Sequence, residues 1–233
     1  MPTLAVIFCE TRPHPAEPAL PADWTGEARF LLDPTTELPE NLRRIRVSIA
    51  GQPVDVVTAS GVFSPDHIDT GTAVLLGNTP PPPAGGHLLD LGCGWGPMSL
   101  CMAKLAPASK VWAIDVNPRA RDLLLRNINI AQLKNIHVET PDNVPSDIQF
   151  DLIWSNPPIR IGKDALHDLL LRWLPRLSPT GEAWLVVQKN LGSDSLAQWI
   201  VENGFNVKRL GSKKGFRVLC VTHRIDITTE PSR

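Results

Sequence analysis

The sequence predicts an α/β fold: a mainly parallel sheet of seven strands, covered by helices on both faces and closed by a C-terminal antiparallel hairpin. Three observations predict it. Beyond a proline-rich connector, short apolar runs alternate with segments of helical period, the order that builds parallel strands joined by crossover helices. A glycine-rich turn follows directly on the first of those runs. The last two strand-like segments follow one another with no helix between them, so their connection is a hairpin.

Taken in chain order, residues 1–43 are an acidic arm with Pro at positions 2, 13, 15, 18 and 21 and no sustained period. Residues 44–233 form the principal domain. Within it, residues 44–60 read as a hairpin, because Ile45, Val47 and Ile49 alternate up to Ala50-Gly51-Gln52-Pro53 and Val54, Val56 and Val57 follow. Residues 79–86 are a connector, since four successive prolines remove backbone donors and fix φ. The core spans residues 87–223. Its strands are predicted at 87–91, 111–116, 136–138, 150–154, 183–187, 205–210 and 216–221. Helices are predicted over 97–105, where Pro97 suits the first turn, and over 118–130, where Asn117 caps and Leu123, Leu124 and Ile128 share a face. Two more cover 163–174 and 193–202. No internal repeat is present.

Composition narrows the function classes. Of 233 residues, 42% are hydrophobic and 20% charged, which places the chain among globular proteins and away from disordered ones. No uncharged stretch reaches the roughly 20 apolar residues a membrane helix needs. The N-terminus lacks the basic and apolar regions of a signal peptide, which predicts a cytoplasmic location. Cys9, Cys93, Cys101 and Cys220 are scattered, arguing against a disulfide framework or a zinc site. The net charge of −1 conceals a gradient from an acidic N-terminal third to a basic C-terminal third. A polyanion would be held locally, on the C-terminal part or on Arg43, Arg44 and Arg46.

In a parallel sheet, ligands bind beyond the carboxyl ends of the strands, so the chemistry is sought just after each strand. The first strand runs into Asp90-Leu91-Gly92-Cys93-Gly94-Trp95-Gly96, and the second delivers Asp115. Glycines at alternate positions let backbone approach a ligand, and an acid at the second strand end can accept both ribose hydroxyls. The spacing G-x-G-x-G, with Asp90 before the turn, repels a pyrophosphate and welcomes an ammonium group. S-adenosylmethionine is therefore favoured over a dinucleotide. No metal is expected.

The fourth strand runs into Ser155-Asn156-Pro157-Pro158-Ile159. An amino group on an aromatic ring or in an amide is a poor nucleophile, because its lone pair is delocalised. The side-chain oxygen of Asn156 and the carbonyl of Pro157 can accept its two hydrogens, and Pro157 and Pro158 stiffen the loop so the acceptors are fixed in advance. An ordinary turn is the competing reading of such a segment.

Together these segments resemble the small-domain family of class I methyltransferases, which includes guanine-N2 methyltransferases of ribosomal RNA. The resemblance covers roughly residues 44–221, including Gly61-Val62-Phe63-Ser64, Asp69-Thr70-Gly71-Thr72, the glycine-rich turn, the Asn156 loop and Gly215-Phe216-Arg217-Val218-Leu219. Asn156-Pro157-Pro158-Ile159-Arg160-Ile161-Gly162-Lys163 resembles a branch with N-P-P-I-R-x-G-K. The resemblance implies a Rossmann-like sheet and a cofactor site of Asp90, Gly92, Cys93, Gly94, Gly96, Asp115, Val116, Phe63, Gly71 and Thr72, with Asp142 accepting from the adenine amino group. Asp142 reads equally as a solvated turn acid. Ile159, Arg160, Lys163 and His167 are the substrate-side candidates, the last three as phosphate contacts or as plain surface residues. Other members carry an aromatic after N-P-P that stacks on the base. Ile159 offers only an apolar wall, so Arg160 or an aromatic elsewhere must stack, or the base is held differently.

The expectation is an S-adenosylmethionine-dependent N-methyltransferase, yielding S-adenosylhomocysteine, that acts on guanine N2 of small-subunit rRNA in naked RNA or an assembly intermediate. Methylation of a protein glutamine amide is the alternative enzyme. A weakly active, cofactor-binding ribosome-assembly factor is the alternative from another class. The oligomeric state is not readable from the sequence.

Overall fold

The computed structural model describes residues 42–62, 64–157 and 162–224. In chain order its elements are β1 (Leu42–Ile49), β2 (Gln52–Ala59), α1 (Thr70–Leu76), β3 (His87–Leu91), α2 (Pro97–Leu105), β4 (Lys110–Ile114), α3 (Pro118–Ile130), β5 (Ile136–Glu139), β6 (Phe150–Ser155), α4 (Lys163–Trp173), β7 (Leu177–Gln188), α5 (Ser193–Glu202), β8 (Phe205–Lys213) and β9 (Phe216–His223).

Seven strands form one sheet in the order β5-β4-β3-β6-β7-β9-β8. The first five are mutually parallel, and β9 runs antiparallel to both of its neighbours. Each strand splits its side chains between two cores. Leu88, Val111, Ala113, Trp154, Trp184, Val186 and Val218 enter one, shared with α1, α2, α3 and the β1–β2 hairpin. Leu89, Ile114, Ile153, Leu185 and Leu219 enter the other, with α4 and α5. This two-sided burial is why the strands read as continuous apolar runs instead of alternating ones.

The hairpin turns on Ala50 and Gly51 alone, both at positive φ, the two-residue geometry that matches strand twist. Gln52 and Pro53, expected in the turn, already pair with Ile49 and Ser48. Arg43 and Arg46, both expected to attract a polyanion, hold carboxylates in this region. Arg46 forms a bidentate pair with Asp55 across the hairpin, and Arg43 reaches Asp66 at 2.7 Å. β7 begins at Leu177, six residues earlier than the apolar run suggested. Its polar first half pairs only at its start with Phe150 before the register resumes at Leu152 and Glu182.

One buried polar residue locks the hairpin to the layers of the main sheet. Asn127 on α3 accepts from the Val57 amide at 2.7 Å and donates to the carbonyls of Val57 at 3.0 Å and Trp95 at 2.9 Å. Asn127→Ala strands these backbone groups in a dry interior, at a cost of about 3 kcal/mol. Scanning calorimetry is expected to show melting lower by about 10 °C. A melting temperature within 2 °C of the unaltered chain would remove this role.

Candidate functional site

The chain leaves β3 toward β4 on one side and returns through β6 on the other, so a crevice opens at the carboxyl ends of β3 and β6. Four segments meet there: the turn after β3, the turn after β4, the loop after β6 and the start of α1.

In the turn after β3, Gly92, Gly94 and Gly96 have φ of 82°, 56° and 100°. Gly96 is required by packing, since a Cβ there would stand 2.2 Å from Cδ1 of Leu124 on α3. Gly92 and Gly94 differ from it. No atom of the described residues lies within 4 Å of a Cβ built on either, so their backbone is open on that side. The amides of Gly92 and Cys93 donate to the Ile114 carbonyl, holding the turn against the end of β4. Cys93 is buried, and burial followed by the nearby carboxylates of Asp90 and Asp115 pushes its thiol well up, so it is no nucleophile.

Asp90 is fully buried. Its Oδ2 accepts from the Ser99 amide at 2.8 Å and from the Ser99 hydroxyl, while Oδ1 has no partner among the described residues. Burial raises the carboxyl to about 7, against the lowering effect of the Ser99 hydrogen bonds and with a smaller raising contribution from Asp115. Asp115 receives the Gly94 amide on Oδ2 at 3.0 Å and the Asn117 amide on Oδ1 at 2.9 Å. Each oxygen keeps one lone pair for a hydroxyl. Val116 next to it is 79% exposed.

S-adenosylmethionine fits this set. The unsatisfied Asp90 oxygen suits an ammonium group, the open faces of Gly92 and Gly94 admit the chain of the ligand, Asp115 suits the ribose hydroxyls, and exposed Val116 offers apolar surface for a base.

On the β6 side, Asn156 sits just past Ser155, whose hydroxyl donates to the Leu91 carbonyl at 2.8 Å and clamps β6 to β3. The Asn156 amide nitrogen donates to Asp69 Oδ2 at 2.7 Å and to Thr72 Oγ1 at 3.2 Å. Both amide hydrogens are thereby spent, and Oδ1 is left as an acceptor of fixed direction. Asp69 also caps α1, accepting the Thr72 amide at 3.1 Å. Asp69 stands in one of the segments that carry the family resemblance, but neither its role nor α1 was anticipated. At seven residues the helix shows no period, although Asp69 before Thr70-Gly71-Thr72 and an apolar run is the signal that marks such a start.

Gly71 and Thr72, expected at the cofactor border, have their closest contacts around Asn156. A Cβ on Gly71 would meet Asp69 Oδ2 at 2.9 Å, Phe216 Cε1 at 3.0 Å and Asn156 Nδ2 at 3.1 Å. Phe216 is thus a further site residue. Asp142, expected to face the adenine amino group, is exposed and pairs with Arg172 on α4 at 2.8 Å. Lys163 is exposed at the start of α4, and the His167 ring stacks on Trp199 of α5 with centroids 3.7 Å apart. That stack packs α4 against α5 at this point. Pro157 is described and buried, whereas Phe63, Pro158, Ile159 and Arg160 lie outside the described residues. Among the described residues no group of three His, Cys, Asp or Glu could hold a metal ion, and no helix is long and apolar enough to cross a membrane.

Residues 53–220 match the family described as methyltransferase small domain. YbxB of Bacillus subtilis, an uncharacterized protein, is 34% identical over 163 residues, covering 69% of this chain and 81% of that one. Ribosomal RNA small subunit methyltransferase C of Pseudomonas aeruginosa is 34% identical over 155 residues, covering 64% of this chain and 46% of that enzyme. Among solved structures, the T. thermophilus 16S rRNA N2 G1207 methyltransferase (RsmC), in complex with AdoMet and guanosine, superposes with a TM-score of 0.68. It is 24% identical, and the match covers 81% of this chain and 52% of that one. The chain therefore spans about half the length of the rRNA methyltransferases it matches. At that identity the superposition establishes the Rossmann-like methyltransferase fold.

Proposed function

Because the chain belongs to the methyltransferase small domain family, we propose that it transfers a methyl group from S-adenosylmethionine to guanine N2 of small-subunit ribosomal RNA. The observation that carries the acceptor chemistry is the Asn156 amide, whose nitrogen is held by Asp69 and Thr72 so that its oxygen is left to accept. The names of the rRNA methyltransferases that resemble it support the choice of nucleic acid.

The bound cofactor supplies a methyl group activated by a sulfonium centre. Asp90, Gly92, Gly94, Asp115 and Val116 would hold it, Asp90 by its ammonium group and Asp115 by its ribose. Asn156 Oδ1 accepts one hydrogen of the target amine and the Pro157 carbonyl the other; once the nitrogen has gained the methyl group, one of these hydrogens leaves as a proton to water, with S-adenosylhomocysteine as the co-product. These contacts favour the pyramidal nitrogen of the transition state over the planar ground state, which is where binding energy accelerates a reaction. Asp69 positions Asn156 and touches no substrate. The target guanine has to be unpaired or flipped for its N2 to reach these acceptors.

Mass spectrometry of digested rRNA from a deletion strain tests this reading. Loss of one N2-methylguanosine, restored by the purified protein and S-adenosylmethionine on the unmodified rRNA, is the expected result. Unchanged rRNA together with an unmethylated protein glutamine would replace RNA by protein as the substrate.

A further inference from the structure

We propose that the turn between β8 and β9 receives the target nucleotide, with Phe216 stacking on the displaced base and Lys189, Lys213 and Lys214 holding the flanking phosphates. This rests on the RNA substrate proposed above and names the element that recognises it. Phe216 is the first residue of β9, paired with Gln188 at the end of β7 and with Lys213 at the end of β8. The turn therefore stands at the carboxyl edge of the sheet, where the site is. Strand alternation puts the ring on the α1 side, against the core of that face and only partly buried. There its Cε1 and the Asn156 amide nitrogen lie 3.0 Å and 3.1 Å from one point, the place a Cβ on Gly71 would take. The missing side chain of Gly71 is what lets an aromatic ring stand beside the acceptor amide.

A base drawn out of a helix loses its stacking partners, and an aromatic face replaces them without regard to which base it is. Phe216 is an aromatic whose ring edge borders this cluster. The charges beside it match a polyanion. Lys214 and Gly215, at φ of 51° and 81°, turn the chain sharply, and the Gly215 carbonyl accepts the Lys189 amide at 2.8 Å, which brings a third lysine to the turn. All three lysines are exposed and form no ion pair among the described residues. The adjacent acid, Asp194 on α5, is already shared by Arg209 and Arg217. A net cationic patch thus borders the acceptor site of a chain whose total charge is −1, as local capture of RNA requires.

The experiment measures anisotropy of a fluorescein-labelled, mixed-sequence single-stranded RNA with the full chain, and in parallel methyl transfer to unmodified rRNA. Phe216→Leu is expected to weaken RNA binding by about 10- to 100-fold, the worth of one base stacked on a ring, and Phe216→Trp to restore it. The double change Lys213→Gln and Lys214→Gln is expected to flatten the slope of log affinity against log salt by about 1.4, two contacts at about 0.7 each on single strands. Calorimetric affinity for S-adenosylhomocysteine, unchanged in every variant, confirms that each is folded. RNA binding by Phe216→Leu equal to the unaltered chain, a salt slope unmoved by the lysine changes, or equal competition by polyglutamate would overturn the proposal. Binding that depends on these residues while the unaltered chain methylates no rRNA would overturn only the activity assigned in the preceding subsection.

Discussion

Replacing Asn156 with alanine is expected to lower turnover by about 100- to 1000-fold while leaving affinity for S-adenosylhomocysteine near that of the unaltered chain. The magnitude is that of losing one preorganised contact made in the transition state. The separation of the two effects follows from the architecture. Asp90, Gly92, Gly94 and Asp115 are placed by β3 and β4, whereas Asn156 is placed by β6 and by α1 through Asp69 and Thr72. Alanine removes the acceptor oxygen and leaves β6 clamped through Ser155. Single-turnover methyl transfer at saturating RNA and cofactor reads the first effect, and calorimetry the second. Turnover within threefold of the unaltered chain would refute the assigned role.

The strand ends proposed to carry chemistry were legible because each is marked by residue types with narrow backbone or electronic uses. Glycines at alternate positions, an acid one strand later and a proline pair after asparagine all sit beyond apolar runs, and the structure has them at one edge of the sheet. What sequence did not disclose are the partners that arrive from a distance. Asp69 meets Asn156 across 87 positions, Phe216 approaches Gly71 from the far end of the chain, and Asn127 reaches Val57 across 70. Such pairings depend on which elements become neighbours, and no local period encodes that. His167 differs in the opposite sense: its spacing from Lys163 puts both on one helix face, and the ring there stacks on Trp199 of α5, a neighbour the spacing does not reveal. A helix face is a set of directions, and the tertiary neighbour decides what a side chain in that direction meets.

The buried Asp90 predicts an opposed response of stability and ligand affinity to pH. Its carboxyl is raised from an ordinary value of 3.8 to about 7, chiefly by burial. Between those values the folded, ligand-free chain retains a proton that the unfolded chain has released, so stability declines as pH rises through this window. The gap corresponds to about 4 kcal/mol at most, since relaxation and water entry reduce it. A ligand ammonium facing Oδ1 reverses the preference by favouring the ionised carboxylate. Binding then expels the proton below pH 7, and affinity for S-adenosylhomocysteine is expected to rise about tenfold from pH 6 to pH 8, with proton release visible in buffers of different ionisation enthalpy. Asp90→Asn is expected to be more stable than the unaltered chain at pH 8 without ligand, because it carries no buried charge, and to bind weakly with a flat pH profile. The hydrogen bonds from Ser99 survive this change in part, through the amide oxygen of asparagine. An unaltered chain whose affinity is level across this range would mean that the ammonium group is held elsewhere and that Asp90 is a packing acid paired only with Ser99.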